Sequence, residues 1–319
     1  MVIKIFVVTG GFIGIGILLY AILSSVYLFK HTIMRPKRTY PIETKKMPRA
    51  LYVDRMIKSA AWFSSQNPEL VTIRSYDGLK LSAYFLPAAE GEDHSRNSIL
   101  LMHGYHSSGL RDFACIYEFF HNKGWNVLLP DERAHGNSEG NYLTFGIRER
   151  FDTRDWARYL DKRVCGKQQL WIMGISMGAS SVLMSLDEGL PATVCGAIAD
   201  CGFTRPYEMI RCSIRRDYHL WSLPIMGIAN LFGRIISGFD FKEYSVPEAL
   251  KYNRIPVLFV HGRKDDFVPF EMSKENYAAC TAPKMFLETN TVHAISFVAE
   301  TERYTAAITE FLDTCCGSV

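Results

Sequence analysis

A hydroxyl, an imidazole and a carboxylate held in line can cleave an acyl bond: the hydroxyl attacks, the imidazole takes its proton, and the carboxylate orients the imidazole. The sequence offers a serine in a frame suited to the first role, Gly174-Ile175-Ser176-Met177-Gly178. Glycines on both sides allow a sharp strand-to-helix turn that aims the hydroxyl into a cleft. The same turn leaves the next N–H, that of Met177, at a helix start facing a developing oxyanion. A second match is Gly136-Asn137-Ser138-Glu139-Gly140. Context separates the two. Leu170 to Met173 reads as a strand entering Gly174, and Ala179 to Met184 reads as a helix leaving Gly178. Ser138 is followed by Glu139, Gly140 and Asn141, which favour a turn. Ser176 is the candidate nucleophile and Ser138 a look-alike.

The serine needs a base. In hydrolases built on such a turn the chain order is serine, acid, histidine. Only His219, His261 and His293 follow Ser176. His219 lies in an irregular middle segment, and His261 ends an apolar run ahead of the candidate acids Asp265 and Asp266. His293 follows the last apolar run and precedes a final helix, so it is the candidate base. The second oxyanion donor is expected from the residue after His103-Gly104, which is Tyr105. Removing one such donor typically costs about 2.7–4 kcal/mol of transition-state stabilisation. No spacing of histidine, cysteine and acidic residues suits a metal, and no C-x-x-C pair occurs among the 8 cysteines. Neither a metal nor a cofactor is expected, and the cysteines read as free, mostly buried thiols.

The elements that must position these residues alternate. Val71 to Arg74 and Lys80 to Leu86 flank Asp77-Gly78 as a hairpin. Short apolar runs follow at Ser98 to Met102, Asn126 to Leu129, Leu170 to Met173, Thr193 to Ala199, Val257 to Val260 and Lys284 to Leu287. Helical spacing separates most of them, as in 113–120, 151–160, 177–186 and 304–312. Strands alternating with helices predict an α/β fold with a mostly parallel sheet, whose ligands bind beyond the carboxyl ends of the strands. Each candidate residue above lies just past such an end. Between Cys201 and Ala249 about 45 residues intervene, more than a plain connection needs. Helical spacing over 207–214 and 223–236 predicts a small lid at about 203–248. There Trp221, Leu223, Ile225 and Met226 are candidates for an apolar substrate pocket, and Arg205, Arg211, Arg215, Arg216 and Arg234 could face an anionic group.

The chain has 319 residues, 48% hydrophobic and 22% charged, with a net charge of +3. That suits one enzyme-sized domain with an appendage, and the small charge gives no reason to expect nucleic acid as a partner. The appendage is the N-terminus. From Ile5 to Phe29 no residue is charged, long enough to span a bilayer core of roughly 30 Å. A single-pass anchor is expected over 1–30, followed by a basic linker and leading helix over 31–67 and the catalytic domain over 68–319. Lys4 alone is basic ahead of the apolar stretch, whereas Lys30, Arg35, Lys37, Arg38, Lys45, Lys46 and Arg49 follow it. The positive-inside rule then keeps the catalytic domain on the cytoplasmic side.

His103-Gly104-Tyr105, Asp131-x-Arg133-x-His135-Gly136-x-Ser138, the Ser176 turn, His261-Gly262-x-x-Asp265-x-x-Val268-Pro269 and His293 resemble, in order and spacing, the α/β-hydrolase superfamily. The similarity is greatest to bacterial membrane-anchored serine hydrolases related to bile-acid-CoA amino-acid N-acyltransferases, and it covers about residues 68 to 315. The resemblance implies that Asp265, in preference to Asp266, is the acid, and that Asp131, Arg133 and His135 tie loops together. It departs where Thr291-Val292 precedes His293 in place of a Gly-x-Gly-His pattern. The implied activity is cleavage of a carboxylic ester through an acyl-enzyme, on a small-molecule ester or acyl substrate. A thioesterase, acyltransferase or peptidase would use the same residues. A membrane-anchored binding protein that had lost the chemistry is the alternative outside enzymes.

Overall fold

The computed structural model describes residues 2–36, 41–42, 48–89, 97–164, 169–218 and 222–316. The apolar runs become β1 (Glu69–Arg74), β2 (Lys80–Leu86), β3 (Ser98–Met102), β4 (Asn126–Pro130), β5 (Leu170–Ile175), β6 (Val194–Asp200), β7 (Val257–Gly262) and β8 (Lys284–Thr289). They form one sheet in the order β1-β2-β4-β3-β5-β6-β7-β8. β2 runs antiparallel to both β1 and β4, and all later pairs are parallel. β5 and β7 extend two residues beyond the apolar runs, so the ladder carries the chain to the edge of the Ser176 and Asp265 turns.

The helices are α1 (Val2–Leu28), α2 (Val53–Ser65), α3 (Gly109–Asp112), α4 (Ile116–His121), α5 (Glu149–Arg163) and α6 (Met177–Ser185). After β6 come α7 (Pro206–Tyr218), α8 (Ser222–Phe232) and α9 (Val246–Leu250), then α10 (Phe270–Ala279), α11 (Ser296–Ala299) and α12 (Thr301–Cys316). Alternate strand residues feed two cores, one on each face of the sheet. Leu100, Met102 and Ile172 pack with α5 and α6, whereas Ile99, Leu101, Trp171 and Met173 pack with α4 and α12. This is an α/β-hydrolase fold. The helix expected over 113–120 starts only at Ile116, as α4, because Cys115 takes a left-handed conformation, φ +69°.

The N-terminal helix packs onto the domain. A 20-residue stretch, Gly14–Ile33, is long and apolar enough to cross a membrane. Its far end widens into a turn in which the Met34 N–H reaches back five residues to the Phe29 carbonyl, 3.2 Å. Leu28, Phe29 and Ile33 then enter the domain core. Met34 bridges to Tyr142, and the Arg35 guanidinium donates to the carbonyls of Gly136 and Ser138, each at 2.6 Å. Residues 31–36, which the sequence suggests as the start of a linker, are seated on the domain. The carbonyls of the turn around Ser138 need donors, and Arg35 supplies them.

Candidate active site

Ser176 stands between β5 and α6 with φ +57° and ψ −117°, a strained backbone for a residue bearing a side chain. Its glycines are dictated by contact. A Cβ at Gly174 would lie 2.2 Å from the Gly178 carbonyl oxygen, and one at Gly178 would lie 1.9 Å from that of Met102. Strand, turn and helix pass so closely that only hydrogen fits. The Ser180 N–H bonds the Ser176 carbonyl at 3.1 Å, which opens α6 and leaves the N–H of Met177 in its first turn.

The Ser176 hydroxyl lies 2.9 Å from His293 Nε2, and His293 Nδ1 lies 2.7 Å from Asp265 Oδ2. The carboxylate partner assigns the proton to Nδ1, so Nε2 accepts from the serine. Asp265 is held on every side. Its Oδ1 accepts the N–H groups of Phe267 and Val268, each at 2.9 Å, and buried His261 approaches Oδ2 at 3.1 Å. Burial by itself would raise the Asp265 pKa, but His293 and His261 outweigh it and hold the carboxyl well below its ordinary range. Asp266 meets Arg216 through its backbone carbonyl, at 3.1 Å, beside the Phe267 carbonyl at 2.7 Å.

The other motif residues tie loops. Ser138 is buried, accepts the Ser82 N–H at 2.9 Å and donates to the Asp131 carbonyl at 2.6 Å. Arg133 grips Asp152 at 2.6 and 2.7 Å and Asp77 at 2.9 Å. His103 spans Gly104 and Glu132, and His135 spans Arg133 and His106. Tyr105 stacks between His106 and Phe145, with centroids at 3.8 and 5.2 Å. Burial lowers the His106 pKa to about 4, so the ring stacked on Tyr105 is neutral. Glu149 bonds the Thr144 N–H, the Thr144 hydroxyl and the Gly146 N–H, and so fixes Phe145 in its left-handed turn.

Arg49 holds two loops at once. It donates to the Ala294 carbonyl at 2.9 Å, next to His293, and stands 3.9 Å from Asp112. Asp112 in turn accepts the Gly104 N–H at 2.8 Å. Among the described residues, one group of histidine, cysteine and acid is close enough for an ion: Cys201, Asp265 and His293. It suits a metal poorly. Two members are spent on each other, and burial pushes the Cys201 thiol well above its usual range, which keeps it protonated. The described cysteines Cys115, Cys195, Cys201, Cys212, Cys280 and Cys315 are all free thiols.

A cavity of about 170 Å³ opens over Ser176, Met177 and Tyr105. Of the pocket residues expected from sequence, Trp221 and the side chain of Leu223 fall outside the described residues. Ile225 and Met226 are buried but do not line this cavity, because α8 turns them toward α1 and the core. The walls are Phe145, Phe203, Met209, Ile210 and Phe267, closed on one side by Leu28, His31 and Thr32. Phe267 stands at an unspecified position of the Asp265-x-x-Val268-Pro269 motif, and the other walls belong to no motif. The uncharged stretch ending a few residues ahead of His31 is the only sequence sign of the last three.

A family model described as "Serine hydrolase (FSH1)" matches residues 231–303, which include Asp265 and His293. The YqkD protein of Bacillus subtilis is 28% identical over 249 residues, 75% of this chain and 81% of that protein. The lysophosphatidylserine lipase ABHD12 of Danio rerio is 26% identical over 184 residues, 56% of this chain and 46% of its own length. Among solved structures, the Pyrococcus furiosus esterase Pf2001 superposes with a TM-score of 0.65 at 22% identity, covering 89% of this chain and 98% of that one.

Proposed function

The chain is a member of the α/β-hydrolase superfamily, and from that membership we propose that it is a membrane-anchored serine hydrolase that cleaves a carboxylic ester through an acyl-enzyme. The observation that carries this reading is the continuous line from Ser176 Oγ through His293 to Asp265, set on a strained turn at a helix start. As Ser176 Oγ bonds the ester carbon, its proton passes to His293 Nε2, and Asp265 stabilises the imidazolium. The N–H groups of Met177 and Tyr105 receive the oxyanion. The tetrahedral species collapses, the leaving alcohol takes the proton from Nε2, and water attacks the acyl-serine by the same path in reverse. A fluorophosphonate probe is expected to label the full-length protein and p-nitrophenyl butanoate to be turned over. Ser176→Ala is expected to abolish both. Labelling that survives Ser176→Ala and disappears in Ser138→Ala would overturn the assignment.

In the same reading α1 spans the membrane. Phe12, Ile15, Ile17, Leu18, Leu19 and Leu23 are all more than half exposed, an apolar surface that suits lipid and not water. Ala21 and Ser25 are buried, and the Ser25 hydroxyl reaches the Ile225 carbonyl at 3.0 Å, which speaks for a helix retained in the working protein. The basic flank after the helix supports a domain on the cytoplasmic side. Protease added to intact cells is expected to leave the domain whole, and its release would reverse the orientation.

A further inference from the structure

The cavity over Ser176 has an apolar neighbour. A groove of about 290 Å³ runs between α1 and the α7–α8 pair, walled by Tyr20, Leu23 and Tyr27 on one side and by Ile214 and Ile225 on the other. Leu28 lines both spaces. Ile210 of the inner cavity and Ile214 of the outer groove stand one helical turn apart on α7, so the same helix face floors both. The helix that forms the outer wall is fixed in place. Ser25 bonds Ile225 at one end, and at the other Arg35 bonds the 136–140 turn while the Leu143 N–H bonds the Ile33 carbonyl at 2.7 Å. Leu19, Leu23 and Val26 of that helix are exposed on the apolar surface that faces lipid in the reading above.

We propose that this groove is an acyl-chain site, continuous past Leu28 with the Ser176 cavity, and that it takes the long chain of a single-chain amphiphilic ester directly from the bilayer. The inference rests on the hydrolase reading for what happens at Ser176. The anchor therefore also forms a wall of the substrate site. The ester carbonyl lies over Ser176, the chain runs outward between α1 and α7, and its end stays among apolar side chains, so the substrate need not cross water. The occupant is an acyl chain because the described lining is apolar apart from Ser24 and the Tyr20 and Tyr27 hydroxyls, and because the groove leads to an acyl-transfer serine.

Chain-length selectivity of the full-length protein in detergent tests this. For the wild type, kcat/KM is expected to rise from the butanoate to the dodecanoate p-nitrophenyl ester, by up to about fourfold for each methylene that becomes buried. Ile214→Trp, which fills the groove, is expected to lower the dodecanoate-to-butanoate ratio at least tenfold. Because Ile214 is buried, Leu23→Trp at the exposed rim provides a second variant, and Ile235→Trp, on exposed surface away from the groove, is the control that keeps the ratio. Dodecanoic acid carrying a terminal diazirine is expected to photolabel Ile214 or Ile225. An unchanged ratio in both groove variants, or photolabelling that misses α7 and α8, overturns the groove while the hydrolase reading stands. If the wild type turns over neither ester, the hydrolase reading fails and the photolabel alone decides the groove. Disulfide-linked dimers of Leu23→Cys in native membranes, without photolabel, would put a second copy's helix there and overturn the proposal.

Discussion

Asp265 and Glu132 are both nearly buried acids, yet their surroundings drive them in opposite directions. Asp265 faces two imidazoles and two backbone N–H groups, and its pKa is lowered from 3.8. Its contribution to folding is present above that unfolded value and is lost as pH falls through the folded one. Glu132 is fully buried with no hydrogen-bond partner on either oxygen, and burial, with Glu149 and Asp152 adding repulsion, raises its pKa well above 4.5. The unfolded chain releases that proton first, so stability falls as pH rises from 4.5 toward the folded value. Glu132→Gln removes this slope. Thermal unfolding at pH 5 and pH 8 is expected to show the variant gaining on the wild type at pH 8. The gain should be about 1.4 kcal/mol for each pH unit over which the folded chain keeps the proton that the unfolded chain has released. A gap of the same size at both pH values would mean that Glu132 is ionised in the fold.

At the scale of elements, the site depends on how closely β3, β5 and α6 approach. A Cβ added at Gly178 would overlap the Met102 carbonyl oxygen, and one at Gly104 would lie 3.2 Å from the Ser176 Cβ. The start of α6, the loop after β3 and Ser176 meet in one contact. Gly178→Ala is expected to cost stability at the upper end of the roughly 1–3 kcal/mol typical of overpacking. Displacement of the Met177 N–H should also lower kcat/KM on butanoate by about 10²-fold. Gly227→Ala on α8 has open space around it and is expected to be neutral or slightly stabilising. Chemical denaturation and ester kinetics on the pair separate contact from helix propensity, and equal stability of the two variants would contradict the packing described.

Across the whole molecule, the apolar helix and the α/β domain are mechanically joined through residues 28–35. Leu28, Phe29 and Ile33 are at most 6% exposed, and Arg35 is spent on backbone carbonyls. A chain beginning at Pro48 removes all four, whereas one beginning at Phe29 keeps three. Each buried side chain contributes about 1.5–3 kcal/mol against exposure to water. The Pro48 form is therefore expected to melt below the Phe29 form, and the Phe29 form to stay close to the full chain in the same detergent. Equal melting of the two truncated forms would show that the contacts of residues 29–36 add nothing to stability.

What the sequence determined by itself is local. Ser176, Asp265 and His293 each lie just past the end of a short apolar run; strand and helix context set Ser176 apart from Ser138, chain order set His293 apart from His261, and the family resemblance favoured Asp265 over Asp266. The alternation of runs and helical spacing was enough for the fold, because each strand and its turn carry their signal within a dozen residues. The cavity walls had no such signal. Phe203, Ile210 and Leu28 are apolar residues like any in the core, and nothing in their spacing separates lining from filling. Ile225 and Met226 were plausible pocket residues by type, and Trp221 by size, but the rotation of α8 turned the first two away from the Ser176 cavity, Met226 into the core and Ile225 onto the groove beside α1. Arg35 and Arg49 read only as part of the basic flank that follows the apolar stretch, yet each pairs with backbone carbonyls, those of the 136–140 turn and of Ala294. Such pairings join residues 100 or more positions apart, and only the packed chain brings their partners together.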